Sequence, residues 1–396
     1  ARTLNRSTEL GGRALRGEGM KIGIWDANVV QHVDFTGRVH TEEYSTPEEH
    51  GTHVAGTVLG AGLIDPKGQG MAPKAQAWAY NIGTGANGKI EQVEMIEARR
   101  AFGITLTQNS YGLSAKYFCN AREKLVYRTT DWASDYLTNA FPTLTHVYSC
   151  GNDGGECRQA SIDHYGAAGY GTITKRAKNV ILVGAATHRG EITYFSSRGP
   201  SDDGRLVPTV LAKGSEVWST KPGGQYQKMS GTSMACPTTS GTLALIAQRY
   251  GQLNQGREIR TDLLKALVAN TADDRGVAGP DFVYGYGILN AEVAVEALEH
   301  GYYHLDSVEV GGTYTQQIAI PAGAQGLRVM IGWVDPAVQK TYTFGMKAMV
   351  NDLDLSVKAG TTDYLPWVCD PTKGHVENPA QRKVDNLNNL EQVTLN

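Results

Sequence analysis

Apolar and polar residues follow two different patterns over the first 300 residues or so of the chain. Short, nearly continuous apolar runs are typical of strands buried in a parallel sheet, whereas apolar residues every three or four positions are typical of helices. The predicted strands are residues 21–26, 75–81, 104–110, 145–149 and 180–184. The predicted helices are residues 50–60, 90–102, 120–139, 233–250, 261–270 and 290–299. This alternation predicts an α/β fold with a parallel sheet covered by helices on both faces.

The pattern changes near residue 301, where helical periodicity fades. Alternating segments typical of antiparallel strands then follow at residues 307–310, 314–320, 327–333 and 353–357. We therefore predict two domains, 1–301 and 302–396, and the second is an antiparallel β domain. The sequence ends at Asn396 inside a strand-like stretch, so we expect this domain to be truncated here. Residues 1–20 are polar and contain glycine, which predicts an extended arm.

Composition and charge narrow the functional classes. Hydrophobic residues make up 41% of the 396 residues, so a large core can be buried. The formal net charge is −3, which argues against a general nucleic-acid or membrane-surface binder. No apolar run is long enough to cross a bilayer. The five cysteines lack the paired CxxC spacing of zinc sites.

A carboxylate ends the first predicted strand. Residues 21–25 form the strand-like run, and Asp26 follows directly. Open α/β sheets bind ligands beyond the carboxyl ends of their strands, so Asp26 is a candidate site residue. A strand-end aspartate that only caps the following turn is the commoner case.

Two histidines lie at the start of the predicted helix 50–60. The run EHGTHVAG covers residues 49–56, in which Gly51 and Gly56 permit close packing against neighbouring elements. Metal binding is the alternative interpretation of His50 and His53. Their spacing differs from the HExxH pattern, which sets two ligands one turn apart, and we therefore predict no metal here.

A serine opens the long apolar helix predicted at residues 233–250. Ser233 follows a glycine turn in the run SGTSMACP, residues 230–237. The backbone N–H of a residue in the first turn points at any bound oxygen, and the helix dipole stabilises negative charge there. A serine that only caps the helix is the alternative, but a cap does not account for the whole run.

Asp26, His50 and Ser233 together match the needs of nucleophilic catalysis. A serine hydroxyl is a poor nucleophile near neutral pH, and it requires a base that a third group holds in one tautomer. Ser233 supplies the nucleophile, His50 the base and Asp26 the orienting carboxylate. Two competing functions stay open. One is a catalytically inactive homologue that only binds proteins, and the other is an esterase or an intracellular processing enzyme.

The three segments resemble those of the subtilisin-like serine proteases, the subtilases. The resemblance is carried by residues 50–56 (HGTHVAG) and 231–235 (GTSMA), in the chain order Asp, His, Ser. It covers residues 18–300 and includes FSSRGP at 195–200. It implies a subtilisin-like sheet, serine endopeptidase activity on proteins or peptides, and a packing role for His53.

The resemblance also implies an oxyanion hole. Residues 149–154 (SCGNDG) are similar to the family segment whose asparagine donates to the tetrahedral oxyanion. Asn152 is therefore the predicted second donor beside the backbone N–H of Ser233, although the same run is also a strong turn sequence. Ala27-Asn28 departs from the Ser-Gly or Thr-Gly that relatives usually carry, which raises a question about the local geometry.

Substrate-binding residues follow from the same resemblance. One wall of the pocket for the residue before the cut bond is predicted at Ser110, Tyr111 and Gly112. Gly151 and Gly154 are predicted to form the opposite wall, and Thr172 the base. Three acids near the walls could favour basic substrate side chains, or could be solvated loop residues: Asp153, Glu156 and Asp163. A Cys119–Cys157 disulfide is expected to brace the pocket.

Several further expectations rest on the family. Residues 350–355 and 385–393 resemble the β-sandwich, or jelly-roll, domain appended to some bacterial subtilases. We expect no cofactor for catalysis, and structural calcium stays open. Relatives imply a secreted, monomeric chain after loss of a signal segment and of a pro-segment that acts as inhibitor and chaperone. No nucleic-acid or membrane partner is expected.

Overall fold

The computed structural model describes residues 1–43, 48–83, 89–122, 126–338 and 344–395. Within these residues a seven-stranded, fully parallel sheet forms the centre of the molecule. In chain order its strands are β1 (Lys21–Asp26), β2 (Val39–Thr41), β3 (Gln76–Asn81), β4 (Leu106–Asn109), β5 (Thr145–Ser149), β6 (Ile181–Ala186) and β7 (Val210–Lys213). Their spatial order is β2-β3-β1-β4-β5-β6-β7. The five strands predicted from the sequence are confirmed.

Helices cover both faces of the sheet, as predicted. The described helices are α1 (Arg2–Asn5), α2 (Glu49–Leu59), α3 (Glu91–Phe102), α4 (Thr129–Ala140), α5 (Arg158–Tyr165), α6 (Thr232–Leu253), α7 (Thr261–Asn270) and α8 (Ala291–Glu299). Short 3-10 helices lie at Thr8–Leu10, Val33–Phe35, Pro66–Gly68 and Ala115–Phe118. None of the helices in the described part of the chain has the length and apolar character needed to cross a bilayer.

The alternation of side chains along the strands divides the core into two layers. Ile22 and Ile24 of β1 lie in the main core with Leu243 of α6, whereas Trp25 belongs to a separate aromatic cluster with Met95 and Leu137. Successive strand residues point to opposite faces, so one strand serves both layers. This burial on two faces explains the nearly continuous apolar runs in the sequence.

The strand order reverses beside β1, which creates the position where a site is expected. β1 pairs with β3 on one side and with β4 on the other. In the β1–β4 register Trp25 lies opposite Asn109, so the next residues, Asp26 and Ser110, leave the sheet at its carboxyl edge side by side. Ligands of open α/β sheets bind at this switch point.

Two predictions for this part of the chain are wrong. Residues 1–20 are not an extended arm, because Leu4 and Leu15 are fully buried in the main core and α1 is helical. The helix predicted at 120–139 begins only at Thr129, the start of α4, and residues 123–125 lie outside the described residues. Sequence patterning also missed α5, β7 and a hairpin of β8 (Val217–Lys221) and β9 (Gln225–Met229).

The region after residue 302 forms small antiparallel sheets. β10 (Leu327–Gly332) pairs with β15 (Leu390–Leu395), β11 (Val357–Ala359) with β12 (Thr362–Tyr364), and β13 (Trp367–Val368) with β14 (Gln381–Arg382). The segments 307–310 and 314–320 are exposed and lack regular structure, and 353–357 reaches a strand only at Val357, so these strand predictions are wrong. Alternation without a pairing partner was insufficient to form a strand there. A jelly roll and the domain boundary at 301 stay predictions.

Candidate active site

A carboxylate and an imidazole meet at the carboxyl edge of the sheet. Asp26 ends β1 and is buried, and its Oδ1 lies 2.5 Å from Nδ1 of His50. The same oxygen accepts the backbone N–H of Ala27 at 2.8 Å. Because a carboxylate only accepts, Nδ1 of His50 donates, which leaves Nε2 of a neutral ring as an acceptor on the opposite side.

The residues around His50 explain why helix α2 lies close enough for this contact. A Cβ added to Gly51 would lie 1.7 Å from the carbonyl oxygen of Ala27, so only glycine permits this approach. Thr52 fixes the turn after β1 by accepting the backbone N–H of Val30 at 3.0 Å. Although Ala27 and Asn28 replace the residues that relatives usually carry here, the turn is tightly packed, and the backbone N–H of Ala27 donates to the Asp26 carboxylate.

Burial and pairing shift the pKa values of both groups. Burial raises the pKa of the Asp26 carboxyl, against the hydrogen bonds from His50 and the Ala27 N–H. Burial alone would lower the pKa of His50, but the hydrogen bond and the charge of Asp26 outweigh it, and the net shift is upward. His50 therefore accepts a proton more readily than an ordinary histidine.

His53 occupies a different environment from His50. Its side chain is fully buried, and Nε2 lies 3.0 Å from the carbonyl of Val217 and 3.2 Å from that of Gln227 in the β8–β9 hairpin. Two carbonyl acceptors require a proton on Nε2. Burial lowers the pKa of His53 to about 4. This arrangement supports the packing role that the family resemblance implied.

Ser233 lies in the first turn of α6 and is bound to Ser110. The Ser110 hydroxyl donates to the carbonyl of Ser233 at 2.8 Å, and the Ser233 hydroxyl donates to the carbonyl of Ser110 at 3.2 Å. Since Ser110 lies beside Asp26 in the sheet register, these bonds place Ser233 at the same edge as the His50–Asp26 pair. Among the described residues no hydrogen bond joins His50 to the Ser233 hydroxyl.

Two nitrogen donors lie near one point beside Ser233. The amide oxygen of Asn152 accepts the backbone N–H of Thr232 at 2.8 Å, which fixes the orientation of its amide group. A Cβ built on Gly231 would lie 3.6 Å from the Ser233 backbone nitrogen and 3.7 Å from Nδ2 of Asn152. Glycine leaves this point open, and neither nitrogen has an acceptor among the described residues.

The predicted wall at residues 151–154 packs on the segment 195–200. Gly151 has φ +106°, and a Cβ there would lie 2.9 Å from Oγ of Ser197. A Cβ on Gly154 would lie 2.2 Å from the carbonyl oxygen of Ser196. Both positions therefore require glycine, and the FSSRGP motif is explained as the support behind this wall.

A buried acid joins the two predicted walls. Asp153 accepts the hydroxyl of Ser114 at 2.6 Å through Oδ1 and the backbone N–H of Ala115 at 2.8 Å through Oδ2. Its carboxylate is therefore committed to the loop after Gly112. The structure favours a structural role for Asp153 over recognition of basic substrate side chains, whereas Glu156 and Asp163 are exposed.

The predicted base residue, Thr172, is buried, and its hydroxyl bonds its own turn and the segment at Arg198. It donates to the carbonyl of Gly169 at 3.1 Å and accepts the backbone N–H of Arg198 at 3.1 Å. Thr174, for which the sequence predicted no role, lies beside the predicted wall of residues 110–112, and its hydroxyl donates to the carbonyl of Leu113 at 2.7 Å. A Cβ on Gly112 would lie 4.0 Å from this hydroxyl.

Tyr111 and the cysteines complete the surroundings of the site. The Tyr111 hydroxyl donates to Glu91 of α3 at 2.7 Å. The Cys119–Cys157 disulfide is present, which confirms that expectation. Cys150 and Cys236 are buried thiols. In the described part of the chain no cluster of three acidic, histidine or cysteine side chains could hold a metal ion.

Other residues around the candidate site left no signal in the sequence. Ser114, Ser197 and Thr174 are ordinary loop residues in composition, and only the close approach of distant segments gives them a role. Gln108 near the end of β4 is a further example, because its Oε1 accepts the hydroxyl of Ser240 in α6 at 3.4 Å. Turn and spacing rules apply within a segment, and these contacts join different segments.

Comparison with known proteins agrees with this geometry. The model of the Subtilase family, peptidase S8, matches residues 17–287. Subtilisin DY of Bacillus licheniformis is 30% identical over 305 residues, which cover 74% of this chain and 97% of that protein. Serine protease AprX of Bacillus subtilis strain 168 is 28% identical over 327 residues, covering 72% of this chain and 68% of that protein.

Solved structures show the same fold at lower sequence identity. The self-cleaved protease domain of PatA superimposes with a TM-score of 0.54 at 24% identity, over 72% of this chain and 99% of that chain. The prenylagaramide maturation protease PagA gives a TM-score of 0.53 at 23% identity, over 70% and 94%. The fold, the family match and the relatives together define a serine endopeptidase that hydrolyses peptide bonds. The chain belongs to the subtilase family.

Proposed function

We propose that the chain cleaves proteins or peptides through an acyl-enzyme formed on Ser233, with His50 as general base and acid and Asp26 as the group that orients it. The observation that carries the proposal is that the backbone nitrogen of Ser233 and Nδ2 of Asn152 lie near one open point beside Ser233, at the sheet edge where Asp26 holds His50. A helix cap would not need that open point.

In the acylation step the Ser233 oxygen attacks the substrate carbonyl carbon while Nε2 of His50 takes the hydroxyl proton. The carbonyl oxygen becomes an oxyanion, and Asp26 stabilises the imidazolium through Nδ1–H. Collapse breaks the C–N bond, and His50 returns the proton to the leaving amine. Water then attacks the acyl-enzyme by the same route and regenerates Ser233.

The oxyanion would be held by the backbone N–H of Ser233 and by Nδ2 of Asn152. Donors fixed in place before the reaction cost no reorganisation when the charge develops, and one such donor contributes a factor of roughly 10² to 10³ in turnover. Thr232 is the residue that fixes Asn152, through the bond from its N–H to the amide oxygen.

The Ser233 hydroxyl must change partner for this chemistry. At rest it donates to the Ser110 carbonyl, and rotation about Cα–Cβ moves it between staggered positions on the picosecond-to-nanosecond timescale for a partly exposed side chain. We propose that a bound substrate favours the position that faces Nε2 of His50. Catalytic hydrogen bonds commonly tighten only in the substrate complex.

Substrate would bind as an extended strand, with the side chain before the cut bond between two walls. Ser110, Tyr111 and Gly112 form one proposed wall, and Gly151 and Gly154 the other. We place Thr172 beneath the base rather than on its surface, because its side chain is buried. We propose instead that Thr174, which is partly exposed, lines the base of the pocket.

The remaining expectations belong to the same proposal. We propose that catalysis needs no cofactor, that any calcium is structural, and that the chain acts as a secreted monomer matured from a zymogen. A pro-segment would act as chaperone and inhibitor before its removal. The sheets after residue 302 would be part of a jelly-roll domain.

A diverse peptide library, digested by the wild type and by Ser233→Ala, tests the proposal. We expect cleavage by the wild type and none above background by Ser233→Ala. A small dialkyl fluorophosphonate should label Ser233 only. Asn152→Asp is the matched oxyanion variant, because it keeps the acceptor for Thr232 but removes the donor, and turnover should fall roughly 10²- to 10³-fold. Labelling at another residue would overturn the assignment.

A further inference from the structure

Among its contacts with the catalytic part, the region after residue 302 packs on both sides of the segment that is proposed to form the base of the substrate pocket. We call residues 169–174 the pocket-base segment, since they include Thr172 and Thr174. Its flanks, residues 165–168 and 175–179, both touch the C-terminal region. The segment that receives the substrate side chain is therefore held between two attachments outside the central sheet.

The first attachment is Lys178, whose side chain is fully buried. Its Nζ donates to Oδ2 of Asp335, to the carbonyl of Pro336 at 2.7 Å and to the carbonyl of Ala348 at 2.8 Å. An ammonium group has three N–H donors, so all of them are used on C-terminal acceptors. Asp335 is also fully buried.

Asp335 organises the C-terminal side of this attachment. Its Oδ1 accepts the backbone N–H of Asn351 at 2.7 Å, and its Oδ2 accepts that of Val350 at 2.9 Å. Its backbone exchanges two hydrogen bonds with the side chain of Asn179: Asn179 Nδ2 donates to the Asp335 carbonyl at 2.8 Å, and the Asp335 N–H donates to Asn179 Oδ1 at 2.9 Å. These contacts fix both the position and the direction of the flank.

The second attachment lies at the other end of the pocket-base segment. The backbone N–H of Gly374 donates to the carbonyl of Tyr165 at 2.8 Å. Tyr165 and Tyr170 are buried in one apolar cluster with Cys369 and Val376 of the C-terminal region. Hydrogen bonding and apolar packing thus act at one flank, and a buried ion pair acts at the other.

A buried ion pair contributes little net stability compared with an apolar pair, but it imposes a defined geometry. Between the two attachments, the Thr174 hydroxyl donates to the carbonyl of Leu113, directly after the wall of residues 110–112. We infer that the C-terminal region sets the shape of the substrate pocket, and that Lys178 and Asp335 are positioning residues for selectivity at the residue before the cut bond. This inference rests on the proposed function, which places the pocket at Thr172 and Thr174.

The test combines a double variant with two readouts. Lys178→Met with Asp335→Leu replaces the buried ion pair by an apolar pair without leaving a lone charge, and circular dichroism checks that the double variant folds. We expect KM to rise roughly threefold to tenfold for the preferred peptide, the effect of losing about one good contact. The preference among peptides that differ before the cut bond should weaken, whereas labelling by a small fluorophosphonate should keep its wild-type rate.

Two further variants make the result decisive. Asp352→Asn is the matched control, because it breaks a partly exposed pair with Lys347 (3.1 Å) in the same C-terminal region, and it should leave KM and selectivity unchanged. Asn179→Ala removes the two bonds to the Asp335 backbone without burying a lone charge, and it carries the test if circular dichroism shows the double variant unfolded.

Unchanged KM and unchanged selectivity in a folded double variant would overturn the inference, as would the same result in Asn179→Ala if the double variant does not fold. A wild-type enzyme that neither labels nor cleaves would instead contradict the proposed function. The two failures are therefore distinguishable.

Discussion

Ser110 and Ser233 exchange two hydrogen bonds, with each hydroxyl donating to the carbonyl of the other residue at 2.8 Å and 3.2 Å. Ser110 follows β4, and Ser233 opens α6, so the pair joins the sheet edge to the helix that carries the proposed nucleophile. Gln108 supports this pair of serines from the strand. Its Nε2 donates to the Ser110 hydroxyl, and its Oε1 accepts the Ser240 hydroxyl of α6 at 3.4 Å.

Ser110→Ala removes the bond to the Ser233 carbonyl but keeps the Ser110 carbonyl. A neutral hydrogen bond contributes about 0.5–1.5 kcal/mol, so kcat/KM should fall roughly twofold to tenfold. Steady-state kinetics on one peptide measure this change. Ser230→Ala is the control, because Ser230 is exposed and lies outside the proposed machinery. Equal kinetics in Ser110→Ala and wild type would show that the pair does not position Ser233.

Gly231→Ala places a methyl group at the point where the two oxyanion donors converge. The new Cβ would be in ordinary contact at 3.6 Å and 3.7 Å, so folding should be retained. The methyl would exclude the oxyanion, and kcat should fall by roughly 10² or more, as expected for the loss of donor contacts. Thermal unfolding of both proteins checks stability. A folded variant with wild-type kcat would contradict the proposed oxyanion site.

The pH profile of activity should report His50. Its pKa is raised, chiefly because the bond to Asp26 outweighs burial, and only the neutral ring can act as base. Activity should therefore rise with pH through a midpoint above about 6.5, the ordinary histidine value. In Asp26→Asn the midpoint should move to lower pH, and kcat should fall about 10⁴-fold. NMR titration of His50 in the Ser233→Ala protein measures the same pKa without turnover.

His53→Gln should preserve activity within a few-fold but change the pH dependence of stability. The folded-state pKa of His53 is about 4, so the unfolded chain binds the proton more readily and stability is lost as pH falls below about 6.5. This effect is worth about 2 kcal/mol at pH 5 relative to neutral pH, and glutamine abolishes it. Urea unfolding at both pH values, in the Ser233→Ala background to prevent autolysis, gives the comparison. A large loss of kcat would contradict the packing role.

Removing the disulfide should affect both stability and substrate binding. Cys119 and Cys157 are separated by 38 residues, and closing such a loop contributes about 2–4 kcal/mol. The Cys119→Ser, Cys157→Ser protein should unfold at lower temperature, and its KM for peptides should rise because the two walls are less firmly joined. Asp352→Asn, which breaks a partly exposed ion pair with Lys347 away from both walls, is the control. Unchanged KM would leave the disulfide with a purely stabilising role.

The sequence determined five of the seven described strands of the central sheet, most of its helices and the family. Buried parallel strands leave continuous apolar runs, and the motifs at residues 50–56 and 231–235 are local features whose glycines and polar residues can be read directly. Asp26, His50 and Ser233 could be proposed as candidates because each lies in such a segment. Predictions failed at residues 1–20 and 307–320, where burial or strand pairing depends on other parts of the chain.

Tertiary structure alone decided the contacts between distant segments. It brought Asp153 to Ser114, and Lys178 to Asp335, 157 residues further along the chain. It also showed that Thr172 is buried, while the Thr174 hydroxyl bonds Leu113 beside the wall of residues 110–112. Local patterns report propensity and periodicity over a few residues, whereas these pairings depend on how whole elements pack, so no spacing in the sequence encodes them.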